Sequence, residues 1–422
     1  MARLLTTKDA YQIINLLVRE ATGQDATIQA VDPSTFVSVG ETVLATGVEN
    51  TLNALSMVLG RTFVAVRPYN AKFGTINAIN SGLYANRMRK ISFYAREAVI
   101  DGAENTDLAT NFADGYDNGT NSGASAPSMW EQNQPMPLEM NFGGSSEWQT
   151  VTTVYEKQLQ VAFRSPEDFA AFVNGIMTEK GNDIESEKEA FQRMTVLNAM
   201  AGVYDLSSYM GGSAVNLTSE FNTEFGTSYS TQDLLTTYFV EFTEFLVGYI
   251  KIVSDRMTNR SKKYHWSPTK TVSGVTYDIL RHTPKDRQKL MIYNPLWIKA
   301  EARVKTEIFN DRYISFGNFE GVDFWQNEND PSAISITPAI PDAAGSNSGA
   351  QTAGSAVKLD YVVGFLFDED ALMVDYQFDQ ATTTPLEARK HYRNMWWTIR
   401  KNAICDFTEN MILLYMEDPV SP

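Results

Sequence analysis

The stretch SPEDFAAFVNGIMTEKGNDIESEKEAFQRMTVLNAMAGVYD, residues 165–205, sets how the rest of the chain is organised. Ser165 offers an N-cap hydroxyl, Pro166 suits the first helical position, and Glu167 and Asp168 complement the positive helix end. Phe169, Phe172, Val173, Ile176 and Met177 recur at three- and four-residue spacing, which makes a one-sided apolar stripe. A charged middle follows around Ile184, and Glu185, Glu187 and Glu189 read as a solvent-facing patch. The stripe resumes at Phe191, Met194, Leu197 and Ala201 before Gly202 offers a stop. The pattern predicts a helix over about 166–204, a rod of roughly 55–60 Å. The alternative is two shorter helices broken near Gly181-Asn182. Either way, a helix with a polar middle is a framework for other parts and not an active site.

A chain of 422 residues buries a large core and divides into two or three domains. Its net charge of −16 argues against general affinity for nucleic-acid phosphate while leaving room for a locally basic face. Cys405 is the only cysteine, so no intrachain disulfide forms and a reducing site of synthesis is expected. One cysteine and the scattered His265, His282 and His391 make no Cys/His metal set. No run of eighteen apolar residues marks a transmembrane helix, and the N-terminal MARLLTTKDAYQII does not read as a signal peptide.

Working outward, Thr7 to Ala21 reads as an amphipathic helix and residues 40–59 as a second. Both need a partner surface, either their own domain or another subunit. Strands are expected at 61–66, 91–99 and 147–161, the last two flanking a projecting hairpin. Its tip, 101–126, is rich in Asn, Gly, Ser and Asp and buries no core of its own. Residues 211–230 form a second polar, turn-rich stretch, and 233–256 a helix followed by Arg256, Arg260, Lys262 and Lys263. Those cations suit a negative helix end, or alternatively a polyanion. Further on, 289–293, 321–325, 334–340, 361–367 and 371–378 read as strands and 296–309 as a helix. Residues 342–356 read as a low-complexity surface loop, and 392–403 and 410–416 close the chain with strand-like hydrophobicity. Without regular βαβ alternation the class is α+β.

Catalytic signatures are missing: no GxxxxGK[ST], GxGxxG after a strand, GxSxG or HExxH occurs. Asp368, Glu369 and Asp370 make an acidic turn, read as solvated ahead of a cation site. Cys405 reads as a buried structural thiol. Trp396-Trp397, beside Arg393, Arg400 and Lys401, reads as core ahead of a base-stacking surface.

The order of parts resembles the major capsid proteins of tailed bacteriophages, with their Hong Kong 97-like α+β fold. The resemblance is carried by the arm helices, a long polar-tipped hairpin (the E-loop) over about 73–150, and the helix SPEDFAAFVNGIMTEKGNDIESEKEAFQRMTVLNAM in the place of the P-domain spine. PLWIKAEARVKTEIFND and GNFEGVDFW look like an A-domain helix-then-strand unit, and ALMVDYQF with MWWTIRKNAICDFTENMILLYMEDPVSP fits the returning strands. Within the group it is most similar to capsid proteins of small short-tailed phages related to phi-twenty-nine. The implied division is arm 1–72, E-loop 73–150, P-domain 151–230, A-domain 231–370 with surface loop 342–356, and returning elements 371–422.

The resemblance implies a non-enzymatic subunit of an icosahedral head, made in the bacterial host cytoplasm and carried in the virion. Pentamers and hexamers of this chain would enclose double-stranded DNA, contacted weakly, with no membrane and no cofactor or metal. Scaffolding and portal proteins are implied partners, with decoration proteins optional. No fused scaffold is expected ahead of the arm helices. Neither Lys72 nor Lys90 matches the family's crosslinking lysine, so no covalent crosslink is carried over. The expected inter-subunit contacts are Ile13 and Leu17 on the arm, Tyr116 and Trp130 of the hairpin, and Ser346. The alternatives are an encapsulin-like protein compartment, which lacks the insertions at 101–126 and 211–230, and an unrelated soluble enzyme.

Overall fold

The computed structural model describes residues 7–22, 30–31, 35–40, 73–79, 87–95, 136–144, 146–155, 158, 166–268, 270–272, 275–303, 319–342 and 351–418. The expected helix 40–59, strand 61–66 and tip 101–126 lie outside them, apart from Gly40. Two compact units are woven from discontinuous segments: 1–87, 143–197 and 372–405 in the first, 88–142, 198–371 and 406–422 in the second.

In the first unit the decisive stretch begins a single helix, Pro166–Asp205, that runs unbroken through Gly181-Asn182. Side-chain pairs one turn apart carry it through its polar middle. Lys180 reaches Asp183 at 2.8 Å, Lys188 reaches Glu185 at 3.0 Å and Arg193 reaches Glu189 at 2.8 Å. The expected solvent-facing patch is corrected here, since Glu185 and Glu189 are each only 17% exposed and held in those pairs. Beneath the helix lies a four-stranded sheet in the order Asn77–Ile79, Leu372–Thr383, Tyr392–Cys405, Ser146–Tyr155. The first pair is parallel and the others antiparallel. Lys401 Nζ sits 4.4 Å from the Phe191 ring centroid and Lys188 Nζ 5.4 Å from that of Tyr376, so the helix lies along this sheet. Alternation in Tyr392–Cys405 turns Met395, Trp397 and Ile399 inward, which places Trp397 in the core. The helix Thr7–Thr22 buries Ile14, Leu17 and Val18, and its Asn15 accepts from the Ala30 amide at 2.8 Å.

The second unit is built on a five-stranded sheet ordered Ala214–Asn216, Met411–Met416, Tyr361–Asp368, Gln288–Tyr293, Phe319–Val322. Tyr361–Asp368 is central, which explains its continuous apolar run. Gly364 sits where a Cβ would meet the Met291 carbonyl at 2.9 Å, beside a register shift at Val362/Gly364. Gly202 does not end the long helix as expected. It lies inside its last turn, where any Cβ would overlap the Phe407 ring, and helix geometry continues to Asp205.

Three expectations are corrected in this unit. The turn-rich stretch 211–230 contains the strand Ala214–Asn216 and the helix Leu217–Phe225, capped by Asn216 at one end and a left-handed Gly226 (φ 63°) at the other. Leu217 and Phe221, both buried, supply the apolar face that a composition reading passes over. The helix expected over 233–256 is two, Thr231–Thr236 and Phe239–Met257, because a Ser230/Asp233 capping box opens a separate first turn. The loop expected over 342–356 includes the strand Gln351–Ala353, paired with Ala339–Pro341. The hairpin is also differently paired. Arg87–Phe93 partners Pro137–Gly143, while Ser146–Tyr155 joins the sheet of the first unit.

Asn216 accepts from the Thr218 amide at 3.1 Å and the Ser219 amide at 3.5 Å. Asn216→Ala is expected to cost about 1 kcal/mol. Hydrogen exchange should show protection lost first at those two amides, and unchanged protection there would contradict the assignment.

Candidate functional site

The densest concentration of buried charge in the described residues lies in the second unit. The C-terminus of Phe239–Met257 leads to Ser261, which pairs backbone to backbone with Arg281 through bonds of 2.9 and 3.0 Å. That antiparallel bridge sets Arg260 opposite His282. A 3-10 turn, Lys285–Arg287, enters the strand Gln288–Tyr293, whose neighbour ends at Asp368. Between these elements opens a cavity of about 600 Å³, walled by Arg260, Arg281, His282 and Arg287 with Asp368, Asp370 and Glu409.

Its inner charges are mutually paired. Arg281 donates to the Thr408 carbonyl at 3.0 Å and Ser92 Oγ at 2.8 Å, with Glu409 at 3.3 Å. Arg287 pairs with Asp370 and approaches Glu369 at 3.8 Å. The acidic turn is solvated only in part: Asp370 is 42% exposed, whereas Asp368 is 4% exposed and accepts from Thr283 Oγ1 at 2.7 Å. A carboxylate so placed needs such donors to stay charged away from water. Among the described residues no His, Cys, Asp and Glu group is placed to hold a metal ion.

Lys90, on the hairpin strand Arg87–Phe93, closes the cluster by binding both Asp406 and, at 2.6 Å, Glu409. Burial opposes charge on Lys90, but the two carboxylates together outweigh it and hold its pKa above the usual lysine value. Burial, with Asp406 adding to it, pushes Glu409 above the usual carboxylate range against Lys90 and Arg281. Sequence reasoning missed this cluster, since Lys90, Arg281 and the Asp406/Glu409 pair come from three distant parts of the chain.

His265, fully buried, donates from Nε2 to the Ile279 carbonyl at 2.9 Å and has Asn410 Oδ1 3.2 Å from Nδ1. Burial, helped by nearby Arg281, lowers its pKa. The unfolded chain thus binds a proton that the folded chain refuses, so this contribution is present above pH ~6.5 and is lost as pH falls below it, by up to ~1.4 kcal/mol per unit. His265→Gln should be less stable than wild type at pH 7, with the gap closing toward pH 5. Parallel denaturation curves across that range would contradict the assignment.

Of the expected contact residues, Leu17 is fully buried, and its neighbour Leu16 is 50% exposed. The Ile13 side chain, Tyr116, Trp130 and Ser346 lie outside the described positions. Cys405 is buried.

The described residues thus form two compact α+β units, with the paired charges above gathered in the second. Residues 106–415 match the family model of the Phi29-like phage major capsid protein. That match spans well over half of the 422 residues, and the chain belongs to this family. It is a capsid protein, a subunit of a phage shell and thus part of the virion. No curated protein matches by sequence. Among solved structures, the chain is similar to a capsid structure of Staphylococcus phage Andhra at 12% identity and a TM-score of 0.48, over 83% of this chain and 86% of that one. A chain from a structure of head fiber and inner core protein gp22 of native bacteriophage P68 is similar at 10% identity and a TM-score of 0.47, over 82% and 86%. A capsid structure of the Cyanophage P-SCSP1u is similar at 8% identity and a TM-score of 0.40, over 83% and 89%. The α+β class of this chain is that of the Hong Kong 97-like fold implied by its sequence.

Proposed function

We propose that this chain is the repeating subunit of an icosahedral bacteriophage head, which assembles into pentamers and hexamers that enclose double-stranded DNA. The observation that carries the reading is the family match over residues 106–415. The role is structural and not enzymatic. The subunit is made in the host cytoplasm and assembles with a separate scaffolding protein and a portal. In this reading residues 1–72 are the arm, 73–150 the E-loop, 151–230 the P-domain, 231–370 the A-domain, and 371–422 the return. Ile13, Leu17, Tyr116, Trp130 and Ser346 remain the contact positions proposed from sequence, with Leu17 acting through the packing of its helix.

Physical argument supports the reading. Net charge of −16 keeps free subunits soluble and mutually repelling, and limits the grip on packaged DNA. Many weak contacts repeated by symmetry then sum to a stable closed shell. Sedimentation velocity on the chain co-expressed with its neighbouring phage genes tests this, followed by nuclease digestion. Megadalton particles protecting duplex DNA are expected. Particles that protect protein cargo and no DNA would favour a compartment, and monomers under every condition would overturn the reading.

A further inference from the structure

The cavity in the second unit has an asymmetry that its internal pairing does not account for. Arg281 and Arg287 are committed to Glu409 and Asp370, and Asp368 to Thr283. Arg260 and His282, set opposite each other by the Ser261–Arg281 bridge, border the same cavity. Both are exposed, and among the described residues neither side chain makes a hydrogen bond or ion pair. Arg287 and Asp370, paired and each 42% exposed, share the opening, and Arg260 and His282 are its exposed basic side chains without a partner among the described residues.

The surrounding sequence has the same bias. Residues 256–289 contain nine Lys/Arg and two Asp/Glu, a net of +7, within a chain of net −16. Everything outside that segment therefore sums to −23. Outside that segment a second copy of the chain carries 49 Asp/Glu against 26 Lys/Arg, so carboxylates outnumber competing cations nearly two to one.

We infer that the mouth of this cavity is an inter-subunit socket, in which Arg260 and His282 receive a carboxylate side chain from a second copy of this chain. The inference rests on the shell-subunit reading and adds to it a place and a chemistry of contact. A guanidinium binds a carboxylate through two parallel N–H donors, and an imidazole beside it adds a third. Nucleic-acid phosphate is the weaker occupant. Asp368, Asp370 and Glu409 line the same cavity and repel a run of closely spaced phosphates more than they repel a single carboxylate.

The test uses the full chain under the conditions in which wild type forms particles, with the assembly threshold read by sedimentation. Arg260→Glu should raise the threshold concentration at least tenfold, Arg260→Lys should stay within about threefold, and the gap between Arg260→Glu and wild type should narrow as NaCl rises from 50 to 500 mM. Thermal unfolding of unassembled Arg260→Glu should match wild type, because among the described residues the side chain has no internal partner to lose. If that variant proves misfolded, His282→Glu is read in the same way. A photo-reactive residue placed at position 282 should crosslink to a second copy. Assembly of Arg260→Glu and His282→Glu at the wild-type threshold overturns the socket. So does crosslinking to duplex DNA in place of protein, which would assign the mouth to the genome. Failure of wild type itself to assemble would instead overturn the shell reading on which the socket rests.

Discussion

Lys90→Met is expected to destabilise the second unit by about 3 kcal/mol at pH 7, the low end of what removing one partner from a buried ion cluster costs. Lys90 alone bonds both Asp406, whose side chain is 2% exposed, and Glu409, at 12%. With the ammonium gone, Asp406 keeps its bonds from Thr408, and Glu409 keeps Arg281 at 3.3 Å. The low end applies because Arg281 remains. Glu409 already has a raised pKa from burial, and loss of Lys90 raises it further. Protonation then relieves the stranded charge, so the variant's deficit shrinks as pH falls from 7 toward 5. Chemical denaturation of both proteins at the two pH values checks this. A deficit under ~1 kcal/mol, or one that grows on acidification, would contradict it. Lys90→Met combined with Glu409→Gln should cost less than the sum of the single changes, as expected for groups in direct contact.

The second large effect is expected at Trp325, which is 1% exposed and donates from Nε1 to the Val362 carbonyl at 2.9 Å. Val362 is the second residue of the central strand of the five-stranded sheet, at its register shift, and its carbonyl accepts the indole N–H there. Trp325→Ala removes the ring and the donor together and should cost about 3–5 kcal/mol. Trp325→Phe retains most of the apolar volume but strands the carbonyl, at about 1–3 kcal/mol. Urea denaturation separates the two. Equal costs would show that volume alone matters there, and a Phe variant as stable as wild type would show that the bond contributes nothing.

What was legible in the sequence follows from how local the governing physics is. The long helix was readable because its apolar stripe and first-turn signals lie within 40 residues, and side-chain pairs within one turn bridge its polar middle. Tyr361–Asp368 and Met411–Met416 were readable because full burial writes itself as an apolar run. The break at Thr237-Tyr238 was missed because Phe239, Phe242, Phe245 and Leu246 continue the same apolar spacing past it, while the capping box that resets the helix is a matter of two side chains. Strand partners were not legible: Ser146–Tyr155 alternates in a way that suits either a hairpin or the sheet it joins. The cavity was beyond reach, since Lys90, Arg281 and Glu409 meet only through the topology of the second unit. At 368–370 the burial of Asp368 was not legible, because three consecutive carboxylates look alike until Thr283, Arg287 and Lys289 are brought against them. The family resemblance was legible at the level of the order of parts, and the match over 106–415 establishes it.

The central claim is that the chain exists to build a closed shell. Electron cryomicroscopy of particles from cells expressing it with its neighbouring phage genes tests that most directly. The account predicts icosahedral particles whose shell density repeats in clusters of five and six and accepts each compact unit of this chain as a rigid body. Particles whose shell density fits some other protein, or preparations in which this chain stays monomeric throughout, would contradict it.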